Sequence, residues 1–332
     1  MDGHHIPPRV DRASYRAHDR DRLTAPKGGA EPRLSGRLAP EAMFPAGVAD
    51  VQARWVTLHN GVTLRVVEAG AAGHRTILLM HGWGASLYMW RDWLRPLAQA
   101  GWRVLAPDLP GHGLSDKPDD ADLYRVESLA AVVRELLEIE GLDKVDVVAQ
   151  SMAGTIALEL ASAPDSPVRR LVLVNPASFG RVRMQRLARM ASPSLVNVVL
   201  PHLVVRWIVA RAHRMVYGDP TRITRDDENE YWAPSQFPAF ARAMRLLIHE
   251  FRWVRSPIPA MAKRLKTLSV RVLVVLGTRD RLVRDARPYA GALIAAGAPI
   301  ELRIIEGGGH AVNEERPSQV IPLVLEFLED DS

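Results

Sequence analysis

Between Val147 and Gly154 the chain reads Val-Val-Ala-Gln-Ser-Met-Ala-Gly: an apolar strand stops at Ser151, and a helix-forming Ala/Leu/Glu segment starts directly after it. A serine on so tight a strand-to-helix turn has its hydroxyl lifted clear of the backbone, as in a nucleophile elbow. Small residues two positions before and after let the strand and helix pass closely. Those positions are Ala149 and Ala153, where the usual pattern has glycine. The departure adds one methyl on each side, and Gly154 lies one position beyond the usual site.

Two more loops follow strands at matching places. Leu276-Gly277-Thr278-Arg279-Asp280 puts an acid after the apolar run Val270–Leu276, and Gly307-Gly308-Gly309-His310 follows the alternating run Ile300–Ile305. Upstream, the strand Thr76–Met80 enters His81-Gly82-Trp83-Gly84, and the strand Trp102–Ala106 enters the loop Asp108–Asp116. Helical patterns at about 86–100, 126–140 and 152–163 alternate with strands at 76–80, 103–106, 144–149 and 168–175, which predicts an α/β fold with a doubly wound, mostly parallel twisted sheet and helices on both faces. His59-Asn60-Gly61, flanked by Arg54–Leu58 and Val62–Val67, predicts a hairpin at its start. An open parallel sheet places its chemistry in the loops after its strands. Ser151, Asp280 and His310 all occupy such loops.

These four motifs, in the chain order Ser, Asp, His, resemble the α/β-hydrolase superfamily with a helical cap. That group contains esterases, lipases, carbon–carbon bond hydrolases, epoxide hydrolases and haloalkane dehalogenases. The likeness spans roughly residues 51–328. It implies a core of residues 51–176 and 268–332, with a helical cap of residues 177–267 inserted after the strand ending near Asn175. It also implies an oxyanion hole made by the backbone N–H groups of Met152 and Trp83.

The chemistry follows from the residue types. A serine hydroxyl at its ordinary pKa is a poor nucleophile and needs a base within hydrogen-bond reach, the part expected of His310. Asp280 would hold the other ring nitrogen and stabilise the imidazolium that forms. Asn175, where some relatives place their acid, carries no charge, and Asp285 is the alternative to Asp280. Asp108, Asp116, His81 and His112 sit in Gly- and Pro-rich turns and read as structural. Relatives resembling epoxide hydrolases or dehalogenases use an aspartate where this chain has Ser151, so acyl transfer to water is the expected reaction. Hydrolysis of a carboxylic ester leads. A carbon–carbon bond hydrolase of diketone or dienone acids with the same triad is the first alternative, and a catalytically silent binding protein on the same fold is the second. No step requires a metal or organic cofactor, and no clustered ligand spacing suggests one.

From Pro176 to about Thr267 the strand–helix alternation stops. Helical spacing over Leu203–Tyr217 places Val204, Trp207, Ile208, Ala212 and Met215 near one face and Arg206, Arg211 and Arg214 elsewhere. Residues 231–238 read as the turn before a last cap helix over 241–251. Trp207, Met215, Trp232, Phe237 and Met244 are expected to roof a substrate pocket or pack the cap onto the core. Residues 178–264 carry fifteen Arg and Lys against six Asp and Glu, a larger surplus than the +5 of the whole chain. That surplus suits an anionic substrate or peripheral contact with an anionic membrane. The expected substrate is a small-molecule or lipid-like ester. Nucleic acid is not expected as a partner, because no recognition fold accompanies the charge.

The 332 residues, 47% hydrophobic and 24% charged, suffice for one large core plus an insertion. With no cysteine there are no disulfides, thiolate metal sites or cysteine nucleophile. No stretch is apolar for long enough to span a bilayer, and residues 1–10 lack the apolar core of a signal peptide, so cytoplasmic residence is the expectation. Residues 1–50, rich in Arg, Asp, Pro and Gly, are expected to form a poorly ordered extension.

Overall fold

The computed structural model describes residues 39–71, 75–182, 189–190 and 205–330. Its main sheet has eight strands, numbered in chain order: β1 (Val51–Thr57), β2 (Thr63–Ala69), β3 (Thr76–Met80), β4 (Arg103–Pro107), β5 (Val145–Gln150), β6 (Val168–Val174), β8 (Arg271–Gly277) and β10 (Ile300–Ile305). Their spatial order is β1-β2-β4-β3-β5-β6-β8-β10. The β1–β2 and β2–β4 pairings are antiparallel and the rest parallel. The hairpin forms at the Asn-Gly turn, where Leu58 and Gly61 close it by donating to Val62 and Leu58. The α/β-hydrolase architecture expected from the motifs is the one observed.

Side chains alternate across this sheet, which fixes where the helices pack. Leu78, Met80, Val147 and Ala149 point to one face, under α2 (Val126–Ile139) and α3 (Met152–Ala161). Ile77, Leu79 and Val148 point to the other, under α1 (Arg91–Gln99) and the last helix, Pro317–Glu329. There Trp90 and Trp93 meet edge to face, and both are fully buried. Each such apolar side chain contributes about 2 kcal/mol by leaving water. With both faces covered, the central strands read as continuous apolar runs.

Between β6 and β8 lies an insertion whose described residues are largely helical. It holds the short strand β7 (Arg181–Val182), then α4 (Arg206–Val216), α5 (Arg225–Ser235), α6 (Pro238–Glu250) and α7 (Ile258–Thr267). Strand β7 pairs antiparallel with β9 (Val283–Arg284), tying the insertion's first residues to the loop beyond β8. Helix α8 (Ala286–Ala295) precedes β10, and the short α9 (Val312–Glu315) precedes α10 (Pro317–Glu329).

Two expectations change here. Residues 231–235, read as a turn, belong to α5: Thr224 and Asp227 form a capping box that starts the helix, and Pro234 falls in its last turn. The second concerns the head. Residues 1–38 lie outside the described residues; 39–50 are mostly exposed, but Met43 and Phe44 are anchored. Met43 is buried with Leu114 and Ala233, the Phe44 N–H donates to Glu230 of α5 at 2.7 Å, and Arg65 of β2 donates to the Phe44 carbonyl. This stretch is thus held by one buried methionine and by hydrogen bonds of the Phe44 backbone to two elements.

Candidate active site

The backbone reverses sharply at Ser151, with φ 53° and ψ −113°. L residues with a Cβ rarely adopt this region, and it persists only where surrounding bonds impose it. The Ser151 N–H is bonded to the Val174 carbonyl at 2.9 Å, and its own carbonyl accepts from Gly154 and Ala177. A Cβ at Gly154 would lie 2.9 Å from that of Pro176, so glycine is needed one position beyond the expected site. Ala149 and Ala153 are fully buried, and the elbow closes around their methyl groups.

His310 reaches this turn from the loop after β10. Its Nε2 lies 2.8 Å from Ser151 Oγ and its Nδ1 2.7 Å from Asp280 Oδ2. A carboxylate facing Nδ1 requires a proton there, which leaves Nε2 free to accept from the serine hydroxyl. The other Asp280 oxygen accepts the N–H groups of Leu282 and Val283 at 2.8 and 2.9 Å, locking the carboxylate. The three side chains expected from the motifs therefore meet, though 159 positions separate Ser151 from His310. Asp285, the alternative acid, forms an ion pair with Arg181 at 3.2 Å.

Three residues hold the His310 loop that sequence reasoning did not select. Asn175 donates to the carbonyls of Gly309 and His310 at 2.9 Å each, and its Oδ1 accepts from Gly277 at the end of β8. Gln150 donates to the His310 carbonyl at 3.0 Å. The Glu315 carboxylate accepts from Gly309 at 2.7 Å and from Gly218 and Asp219 at 2.9 Å. Buried polar side chains beside such a loop carry no local sequence signature, since every partner but Gly309 lies far off along the chain. The sole hint is the side chain at 175, an uncharged amide at a strand end.

The loop 81–84 lies against Ser151. A Cβ on Gly82 would stand 2.2 Å from the Gln150 side-chain oxygen and 3.0 Å from Ser151 Cβ, so glycine permits the approach. The Met152 N–H is the first of α3 and has no intrahelical partner, and the Trp83 N–H makes no hydrogen bond among the described residues. His81 orders this loop: Nδ1 is 2.8 Å from the Gly82 carbonyl, and Nε2 accepts from Leu109 at 2.9 Å. Burial holds its imidazole below the ordinary range, in keeping with a neutral ring that donates on one side and accepts on the other. Asp108 accepts from Leu87 and Leu114, and Asp116 from Thr63, so both carboxylates brace loops.

The insertion's side chains divide. Met244 is buried, and its carbonyl accepts from the Trp83 indole at 3.3 Å, which ties α6 to the loop 81–84. Trp232 and Phe237 are half-buried, with the Lys117 ammonium 5.4 Å from the Phe237 ring centre. Trp207 and Met215, expected over the pocket, instead face outward into an open groove. The reason is that α4 turns His213 inward, its ring 4.1 Å from that of Tyr231. Val204, expected on the same face, lies outside the described residues.

Below α5, Arg91 of α1 joins Asp227 and Glu314 at 2.8 and 2.5 Å, while Tyr88 and Tyr231 donate to the same two carboxylates. Burial opposes the Arg91 charge, yet Glu314, Tyr88 and Asp227 hold the guanidinium above its ordinary range. This polar seam fastens the insertion to the core. Among the described residues no group of His, Cys, Asp and Glu side chains is placed to hold a metal ion, and no helix is long and apolar enough to cross a membrane.

A buried Ser–His–Asp relay after the strands of a mostly parallel sheet, with glycine-bearing loops beside the serine, defines a hydrolase-type site. Residues 75–317 match the family described as alpha/beta hydrolase fold, and the chain belongs to that family. It is 25% identical over 297 residues to the AB hydrolase superfamily protein YfhM of Bacillus subtilis (strain 168), covering 82% of this chain and 96% of that one. It is 28% identical over 313 residues to epoxide hydrolase A of Mycobacterium tuberculosis (strain ATCC 25618 / H37Rv), covering 81% and 95%. The fold is similar to that of carboxylesterase CesB (YbfK) from Bacillus subtilis, with a TM-score of 0.69 at 17% identity over 88% of this chain and 95% of that one.

Proposed function

We propose that the protein is a serine hydrolase that cleaves carboxylic esters through an acyl-enzyme on Ser151. The observation that carries this reading is the relay Ser151 Oγ, His310 Nε2, His310 Nδ1, Asp280 Oδ2, with links of 2.8 and 2.7 Å. Ser151 Oγ attacks the ester carbonyl as His310 takes its proton, and Asp280 stabilises the imidazolium. The oxyanion forms facing the N–H groups of Met152 and Trp83, with the N-terminal end of α3 adding favourable field. Collapse expels the alcohol, which takes its proton from His310. Water then attacks the acyl group, His310 accepts its proton, and the acid leaves as Ser151 is regenerated.

Relationship to an epoxide hydrolase does not carry the same chemistry to this chain. A serine opening an epoxide would form an alkyl ether, and water has no acyl carbon to attack in that product. An ester intermediate, by contrast, presents one. The tests are turnover of chromogenic short-chain esters and labelling by a fluorophosphonate. Native protein is expected to hydrolyse the ester and be labelled at Ser151, and Ser151→Ala to do neither. Equal turnover by both proteins rejects the serine mechanism. Cleavage of a dienone acid without ester turnover would replace it with carbon–carbon bond hydrolysis.

A further inference from the structure

Helix α4 is amphipathic in the reverse sense from a helix that covers a core. Its apolar stripe, Trp207, Ile208, Ala212 and Met215, faces solvent, with Trp207 67% and Met215 48% exposed, while its one buried side chain is His213. The stripe borders an open groove of about 860 Å³ that also receives Arg206, Arg211, Arg214 and Arg281. One carboxylate, Glu228, lines it; it pairs with Arg214, and Arg206 donates to Asn229. Arg211 and Arg281 have no carboxylate partner among the described residues.

An exposed tryptophan and methionine on one helix face, interleaved with unneutralised guanidinium groups, match the composition of helices that lie in a membrane interface. The indole and thioether enter the acyl boundary, and the arginines reach anionic headgroups beside them. We propose that the outer face of α4, with Arg281, docks this protein onto an anionic phospholipid surface. Charge complementarity favours lipid over the chain's own head: residues 1–38 carry eight Arg and Lys against five Asp and Glu and so do not complement the arginine groove. An anionic lipid surface offers negative charge and an apolar layer together.

The test is co-sedimentation of the full-length protein with vesicles of phosphatidylcholine alone or mixed with phosphatidylglycerol, across a salt series. Binding is expected to the mixed vesicles alone and to fall as salt rises. The double variants Trp207→Ser/Met215→Ser and Arg211→Glu/Arg281→Glu are each expected to lower partitioning at least about tenfold while keeping the native unfolding midpoint. Failure to bind mixed vesicles, or equal binding to both kinds, overturns the proposal. So does native-like binding by the variants, which would assign the contact to another basic surface. A lipid-free dimer that Trp207→Ser dissolves would assign the stripe to a second copy. None of these readouts depends on ester turnover, so the proposed chemistry stands or falls separately.

Discussion

The Glu315 carboxylate accepts the Gly309 N–H at 2.7 Å, one residue before His310, and also takes the N–H groups of Gly218 and Asp219 from the insertion. One buried side chain thus couples the insertion's backbone to the loop that aims the imidazole. Glu315→Gln keeps the side chain's volume but turns one acceptor into a donor facing an N–H. Turnover of a short-chain ester is expected to fall roughly tenfold to a hundredfold, because a small displacement of the base is costly. KM should change less than kcat, and unaltered kcat would show that Glu315 does not position the base.

Asp280→Asn tests the orienting role directly. An amide that donates toward Nδ1 favours the wrong tautomer, and kcat is expected to drop by about four orders of magnitude with little change in unfolding midpoint. A loss smaller than about tenfold would assign the orienting role elsewhere.

Gly82→Ala tests the loop beside the nucleophile. The added Cβ meets the Gln150 side chain and Ser151 Cβ, so the loop must retreat and carry the Trp83 N–H with it. Loss of one oxyanion donor raises the barrier by about 3–4 kcal/mol. Single-turnover kinetics should show the loss in acylation, and native acylation rates would remove Trp83 from the oxyanion hole.

Breaking the seam under α5 should cost stability rather than chemistry alone. Arg91→Ala strands the carboxylates of Glu314 and Asp227, whose side chains are 0% and 3% exposed. Removing one partner from such a buried cluster costs about 3–5 kcal/mol, readable from urea denaturation at neutral pH. A shift under about 1 kcal/mol would mean the two acids find other partners.

Glu230 supplies a pH dependence. Burial pushes its carboxyl from the ordinary 4.5 up to about 7, against the Phe44 N–H and Arg65, which favour the charged form. A raised carboxyl makes the folded state the tighter proton binder. Its contribution to stability is therefore full below about pH 4.5, is lost as pH climbs toward 7, and stays low above that. Glu230→Gln is expected to be more stable than the native protein above pH 7, by up to about 3 kcal/mol, with the difference closing near pH 4.5. Parallel stability profiles for the two proteins would refute this account.

How far the chain could be read in advance depended on whether a feature was local. Thr76–Met80 and Ile300–Ile305 match their strands residue for residue, because each apolar or alternating run is bounded by turn residues. Ser151, Asp280 and His310 were legible for a related reason: each follows a strand, and parallel strands bring their ends to one edge. Strands β7 and β9 have two residues each, too few to show a period. At α4 the periodicity revealed a stripe but not its direction, since spacing fixes which residues share a face and tertiary packing decides which face turns inward. Around the end of α5, Pro234 and the first residue of α6, Pro238, suggested a turn, although Thr224 and Asp227 carried the opposing cap signal. The supports of His310 were hidden altogether, as Gln150, Asn175 and Glu315 act across the fold rather than along it.

The positive φ at Ser151 sets the protein's durability against its reactivity. A glycine there would sit in the same turn without steric penalty, so Ser151→Gly should give a hardier but inert molecule. Selection for persistence alone would erode this position first, and its retention would record a continuing demand for the hydroxyl.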